Sequence, residues 1–191
     1  MKLSVQKLLI LSITLEGLLL IVCYLLHPEL KETFRFAARY SGRLSAFVFL
    51  FSFYRYTMDF PKVMGDNMKL RHLIQWFAIL HVIHFGFLAM NIYLNEIELI
   101  PYKLAGGVLA YLMIVVAPFK LHQMKVSFQL AYFYYVTFVM IMTYVARAKG
   151  DFEGAAPYWL HYVALGVFVV CAIAFGIKMW LAKQKIQKVS S

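Results

Sequence analysis

Six apolar runs, each close to the length of a membrane-spanning helix, occupy most of this 191-residue chain. A helix needs about 20 apolar residues to cross a hydrocarbon core of about 30 Å. Soluble proteins are roughly 45–50% apolar, whereas this chain is 63% hydrophobic. The sequence therefore predicts an all-α, polytopic integral membrane protein in which residues 1–191 form a single domain of six transmembrane helices. The predicted spans are residues 7–26, 43–60, 72–94, 102–119, 127–146 and 157–181.

The segments between the predicted spans leave no room for a soluble domain. One of the longest, residues 27–42, joins the first two spans, and a segment of that size cannot bury a core of its own. The chain also lacks the G-x-S-x-G, H-E-x-x-H and P-loop motifs. Its two cysteines, Cys23 and Cys171, lie in apolar runs without metal-binding spacing. A catalytic or nucleotide-binding partner would therefore be a separate polypeptide.

Lysine and arginine are concentrated at the end of the predicted bundle that holds both termini. The basic residues assigned to this end are Lys2, Lys7, Arg55, Lys62, Lys69, Arg71, Lys120, Lys125, Lys178, Lys183, Lys185 and Lys188. Because cytoplasmic loops are enriched in Lys and Arg, both termini are predicted to be cytoplasmic. The basic tail at residues 183–188 is expected to contact anionic lipid. Despite the net charge of +10, no nucleic acid is expected as a partner.

Proline and glycine residues mark the predicted helix ends. Pro118 lies at the end of the fourth span and is predicted to terminate that helix. The other markers are Pro28, Pro61, Gly65, Pro101, Gly150, Gly154 and Pro157.

Among the ionisable residues of the predicted spans, four are candidates for chemistry: Glu16, His81, His84 and His161. Such residues are costly in lipid, so they face the bundle interior and are default candidates for a functional site. His81 and His84 are three residues apart and share roughly one helix face. His161 lies, like His84, toward the end opposite the termini, and two imidazoles from different helices can ligate one haem iron. The remaining histidines, at span ends, are given no role: His27, His72 and His122.

His84 and Glu16 each have an alternative interpretation. His84 can hydrogen-bond a neighbouring helix, a contact worth ~1 kcal/mol or less, or belong to a proton or ion pathway. Glu16 can act as a proton acceptor, because a carboxyl in hydrocarbon is mostly neutral. It can equally hydrogen-bond a hydroxyl or a histidine on another helix. The sequence leaves these alternatives open.

Three stretches resemble the ferric-reductase-like transmembrane domain family: "YSGRLSAFVFLFSFYRY" (40–56), "RHLIQWFAILHVIHFGFLAMNIYL" (71–94) and "IPYKLAGGVLAYLMIVVAP" (100–118). Within that family, the chain is most similar to the small haem-binding membrane subunits that feed electrons to bacterial periplasmic methionine sulfoxide reductases. The family's second span opens with Gly-Arg, matched by Gly42-Arg43. A haem-ligating histidine follows a basic residue by 13 positions, as His84 follows Arg71, and Pro101-Tyr102 matches the proline-tyrosine pair that opens the fourth span. The resemblance covers about residues 5–147.

The resemblance implies a b-type haem with His84 as an axial ligand. Arg43 and Arg39, near the start of the second span, could pair with haem propionates or be ordinary interfacial arginines. It also implies a bacterial cytoplasmic (inner) membrane location and a separate redox protein as partner, with a quinone or a flavoprotein as the electron donor. The family's fifth span carries two histidines, and Ala131 and Tyr144 stand at those positions here. Either His161 or Tyr144 could supply the missing ligand.

The function expected from the sequence is therefore that of a membrane-embedded electron-transfer subunit, at most the membrane component of an oxidoreductase. Two alternatives stay open. The first is a haem-free accessory or structural subunit of a larger membrane complex, favoured by the replaced fifth-span histidines. The second is a small proton or ion transporter using Glu16, His81 and His84, although the chain lacks the repeated halves typical of transporters.

The charge asymmetry generates a topological prediction. A reporter fused after Ser191 is expected to be cytoplasmic, and one inserted in the Asn95–Glu98 segment is expected to be external, because the segments with most Lys and Arg stay inside. Reporter-enzyme activity in cells measures both positions. Localisation of the two reporters on the same side would contradict the six-span topology.

Overall fold

The computed structural model describes residues 4–60, 67–150 and 158–190. For residues 102–103 and 186–190 it describes the backbone alone. Within these ranges the chain forms six α-helices and no strands, which confirms the predicted all-α fold. The helices are α1 (Val5–Leu26), α2 (Leu30–Asp59), α3 (Met68–Leu94), α4 (Pro101–Lys120), α5 (Val126–Lys149) and α6 (Trp159–Ser190). A 3₁₀ turn, Leu121–Gln123, links α4 to α5.

Five of the described helices are long and apolar enough to cross a membrane, and α2 is the exception. Large apolar side chains point away from the bundle on several helices. Leu25, Phe47 and Phe119 are 71%, 69% and 70% exposed. Burying such surface in water-free hydrocarbon is favourable, whereas exposing it to water is costly. This apolar exterior is consistent with an integral membrane protein in a lipid bilayer.

Helix α2 extends beyond the second predicted span. The span was predicted at residues 43–60, whereas α2 begins at Leu30. Thr33 stabilises this start, because its hydroxyl donates a 2.6 Å hydrogen bond to the His27 carbonyl. The added helical turns carry small and charged residues, so their hydropathy is low. These turns are helical because their side chains pack on neighbouring helices rather than on lipid.

Two rows of small residues on α2 let the neighbouring helices approach closely. The residues are Ala37, Ser41 and Ser45 in one row and Ala38, Gly42 and Ala46 in the next. Members of each row are four residues apart and therefore lie above one another on the helix. All but Gly42 are buried. In membrane proteins such residues replace bulky contacts with close backbone packing, and α2 accordingly packs on α1, α3 and α6.

The remaining helix boundaries agree with the sequence to within a few residues, apart from the C-terminal end of α6. Pro101 is the first residue of α4, a position where its missing N–H costs nothing. Pro118 does not end α4, which continues to Lys120. A proline in the last turn still allows the backbone N–H groups of the following residues to donate to carbonyls one turn earlier. Gly150 ends α5 with φ 79°, a left-handed conformation that glycine adopts easily. Pro61, Gly65, Gly154 and Pro157 lie outside the described residues.

An aromatic core fills the half of the bundle where α2 ends and α3 begins. It consists of Phe49, Phe53 and Tyr56 on α2, Phe77 on α3, Phe133 on α5 and Phe175 on α6. The Phe133 ring lies 5.1 Å from Phe53 and 4.6 Å from Tyr56, measured between centroids. These separations are typical of favourable aromatic pairs. The core therefore joins four helices at one level.

Phe133→Ala tests the importance of this core. Removing a fully buried phenylalanine is expected to cost about 3–5 kcal/mol of unfolding free energy, because it leaves a cavity among the rings. Unfolding of the detergent-purified protein by a denaturing detergent measures the loss. Phe138→Ala on the same helix is the matched control, since Phe138 is 57% exposed. Equal losses in the two variants would contradict the assigned core.

Candidate functional site

His84 on α3 is held against the backbone of α2. The imidazole lies over Gly42, so closely that a Cβ at that position would come within 2.9 Å of the His84 Cε1 atom. Glycine is therefore required wherever the ring takes this position. The ring is 8% exposed and lies within hydrogen-bonding reach of the Ala38 backbone. Its Nδ1 atom has no hydrogen-bond partner among the described residues.

His161 lies in the first turn of α6 and is only 2% exposed. Its ring meets Tyr158 edge-on, with centroids 6.4 Å apart. Like that of His84, its Nδ1 atom is buried and has no hydrogen-bond partner in the described part of the chain. Two unsatisfied imidazole nitrogens are costly, since buried polar groups are nearly always paired. Both positions therefore favour an additional polar partner or ligand.

Three arginines lie within electrostatic range of one or both of these histidines. Arg147 near the end of α5 acts electrostatically on both His84 and His161. Arg39 and Arg43 on α2 also act on His161 and on Arg147. Arg43 lies over the Tyr40 ring, 5.3 Å from its centroid. We call the set His84, His161, Arg39, Arg43, Arg147 and Tyr144 the polar cluster.

Tyr144 belongs to this cluster through Arg147, which lies three residues further along α5 and interacts with it electrostatically. Tyr144 is 8% exposed and packs on Phe168 with ring centroids 5.7 Å apart. The sequence analysis named the other five members of the cluster as candidates but missed Arg147 as a site residue. A basic residue one turn after Tyr144, on the same helix face, is the signal that could have found it.

His81 is near His84 but has different partners. Its ring centroid lies 5.3 Å from that of His84, yet the ring stacks on Tyr111 of α4 at 4.7 Å. The Nδ1 atom of His81 lies 3.1 Å from the Ser45 hydroxyl. His81 is therefore held between α2 and α4 by ordinary contacts, which favours a packing role.

Glu16 is buried where α1 meets α2. Its side chain is 1% exposed, and Ser41 donates a 2.9 Å hydrogen bond to Oε1. The second carboxyl oxygen, Oε2, has no partner among the described residues. Ser41 directly precedes Gly42, so Glu16 and His84 contact adjacent positions of α2. Glu16 thus links α1 to the helix that supports His84.

Ala131, the other replaced histidine position, is not part of any interior site. It is exposed on the surface of α5, and the interior at this level is occupied by the aromatic core. Among the described residues, no group of three or more His, Cys, Asp or Glu side chains is arranged to hold a metal ion.

The polar cluster has features that suit a haem. Two buried imidazoles from different helices have a free ring nitrogen, and arginines lie beside them as partners for carboxylates. No protein-family model, no curated protein and no solved structure matches this chain.

Glu16→Gln distinguishes the two interpretations of this residue. The amide oxygen can still accept from Ser41, so the unfolding free energy is expected to change by less than about 0.5 kcal/mol. If Glu16 carries protons, the Gln variant is expected to express normally but to lose proton movement in reconstituted vesicles.

Ser41→Ala is the matched control, because it removes the hydrogen bond that the Gln variant retains and keeps the carboxyl. Unchanged proton movement in the Gln variant would contradict a proton-carrying role for Glu16.

Proposed function

We propose that this chain is a membrane-embedded electron-transfer subunit that holds one b-type haem at the polar cluster. His84 and His161 would hold its iron. The observation that carries the proposal is the pair of buried imidazoles, on α3 and α6, that share Arg147 as a neighbour and have unpartnered Nδ1 atoms. A haem supplies one-electron chemistry when bound.

The protein's own residues would position the group and set its environment. Gly42 keeps the His84 ring close to α2, and the α6 helix carries His161 toward the same region. Arg39, Arg43 and Arg147 would provide positive charge for propionate groups, and Arg39 and Arg43 were already candidates from the sequence. Because charge-assisted hydrogen bonds are roughly twice as strong as neutral ones, these arginines would fix the orientation of the group.

The aromatic core supports a single site. In the resembled family the first of the two fifth-span histidines would stand at Ala131, and here this residue faces outward. The neighbouring Phe133 ring is fully buried against Phe53 and Tyr56 instead. The interior near the basic end is thus packed with rings. This packing favours one haem, at the opposite end of the bundle.

The rest of the proposal follows from the resemblance. Electrons would pass to or from a separate redox protein at the end of the bundle that carries the polar cluster. A quinone or a flavoprotein would act at the basic end. The location would be the bacterial cytoplasmic membrane, and the chain would be the membrane component of an oxidoreductase.

A haem-free accessory subunit is the second candidate. Tyr144 takes the place of the remaining fifth-span histidine and packs tightly on Phe168, as expected if that position no longer binds iron. The helix α6 also offers an outward apolar face, with Val170, Ile173 and Ile177 64%, 60% and 54% exposed. Such a face could pack on helices of a larger membrane complex.

A visible absorption spectrum of the purified full-length protein, expressed with added haem precursor, separates the two candidates. A bound low-spin haem is expected to give a Soret band, and reduction by dithionite is expected to sharpen the α and β bands. His84→Ala and His161→Ala should each lose haem or convert it to a high-spin form. His81→Ala is the control and should keep the wild-type spectrum.

Gly42→Ala adds a test that leaves both histidines in place. The new methyl group would displace the His84 ring, so haem occupancy is expected to fall several-fold. Gly86→Ala is the matched control, because nothing lies within 4 Å of a Cβ at that position of α3. Colourless wild-type protein would refute the haem proposal and favour the accessory role. A haem that is retained unchanged in the His84 and His161 variants would refute the ligand assignment.

A further inference from the structure

A shallow basic cleft lies at the opposite end of the bundle from the polar cluster. It is lined by Arg71 and Ile74 on α3, Ala117 and Pro118 on α4, and His122 in the 3₁₀ turn. The cleft opens to the surface. It is too shallow to enclose a molecule. A headgroup resting on the surface is the kind of ligand that fits it.

Two buried nitrogen atoms of the cleft residues have no partner. They are Nε of Arg71 and Nδ1 of His122, each without a hydrogen bond to any residue that the structure describes. Arg71 makes only a weak 3.9 Å contact from Nη1 to the Met68 sulfur. The guanidinium is always a donor, and Nδ1 of a neutral imidazole is a donor in one tautomer. Both groups are suited to phosphate oxygens.

The charge around the cleft is positive. Arg71 and Lys120 both act electrostatically on His122, and Lys69 and Lys125 are exposed nearby in sequence. The described acidic residue at this end, Asp59, is already paired with Arg55 at 3.0 Å and bonded to Asn67. No described carboxylate therefore neutralises the cleft. An anion is the expected occupant.

The rim of the cleft indicates the source of that anion. Phe119 is 70% exposed and Met124 is 39% exposed, and both lie where α4 leaves its apolar span. Cationic donors beside exposed apolar side chains at a span end are typical of the headgroup level of a bilayer. We propose that Arg71 and His122 bind the phosphate of an anionic phospholipid, whose acyl chains lie along α4.

The test uses the full chain purified in detergent, with phosphatidylglycerol titrated in and the rise of the unfolding temperature followed. About 0.5 M salt suppresses attraction that comes only from the general positive charge. Under these conditions Arg71→Gln and His122→Ala are each expected to weaken the apparent lipid affinity about tenfold or more. Arg71→Lys, which keeps the charge but loses the planar fork of donors, should show an intermediate loss and guards against misfolding of the Gln variant.

Lys69→Gln is the matched control. It removes the same charge from α3, two residues from Arg71 and therefore on a different face of the helix, and its lipid affinity should change less than about twofold. An equal loss in this variant would show only a diffuse basic surface and would overturn the proposal. Full competition by millimolar inorganic phosphate would show a free-phosphate site and would also overturn it.

Discussion

The close packing of α2 against its neighbours is the constraint on which the rest of the structure depends. Small residues every fourth position let α1 and α3 approach the α2 backbone, and the contact between Gly42 and the His84 ring is the tightest example. A larger residue at that position would force the ring away. In lipid there is no hydrophobic force between helices, so such packing and a few interhelical hydrogen bonds hold the bundle together. The Glu16–Ser41 and Ser45–His81 bonds contribute in this way.

This packing divides the bundle into two chemically different halves. Near the basic end, stacked and edge-on rings from α2, α3, α5 and α6 fill the interior. Near the opposite end, histidines, arginines and Tyr144 replace the rings. A charged ligand held inside the bundle would therefore lie in the second half. The apolar half supports it by fixing the relative positions of the four helices that supply its residues.

Positive charge occurs at both ends of the molecule but in different settings. In the polar cluster, Arg39, Arg43 and Arg147 lie between helices, close to buried imidazoles. At the basic end, Arg71 and Lys120 lie at the edge of the apolar surface, beside an open cleft. The first setting suits a ligand held inside the bundle, and the second suits one that remains part of the bilayer. Arginine thus lies in two different environments, between helices at one end of the bundle and at the edge of the apolar surface at the other.

The sequence alone determined the helical class, the number of long helices and most of their ends. These properties follow from the length and hydropathy of local runs and from proline and glycine, which act on their immediate neighbours. The sequence did not indicate that α2 begins as early as Leu30, because residues 30–42 are stabilised by contacts with other helices rather than by their own apolarity. Hydropathy does not register burial of small polar residues.

For the candidate site, the sequence identified His84, His161, Tyr144 and Arg43 individually, because ionisable or polar residues in or beside apolar spans are conspicuous. Only the tertiary structure decided that Arg147 joins them, that His81 turns toward Tyr111, and that Ala131 faces outward. Each of these outcomes depends on how a helix is rotated about its axis. That rotation is set by the fit of side chains across helix contacts, and residues far apart in the chain make those contacts.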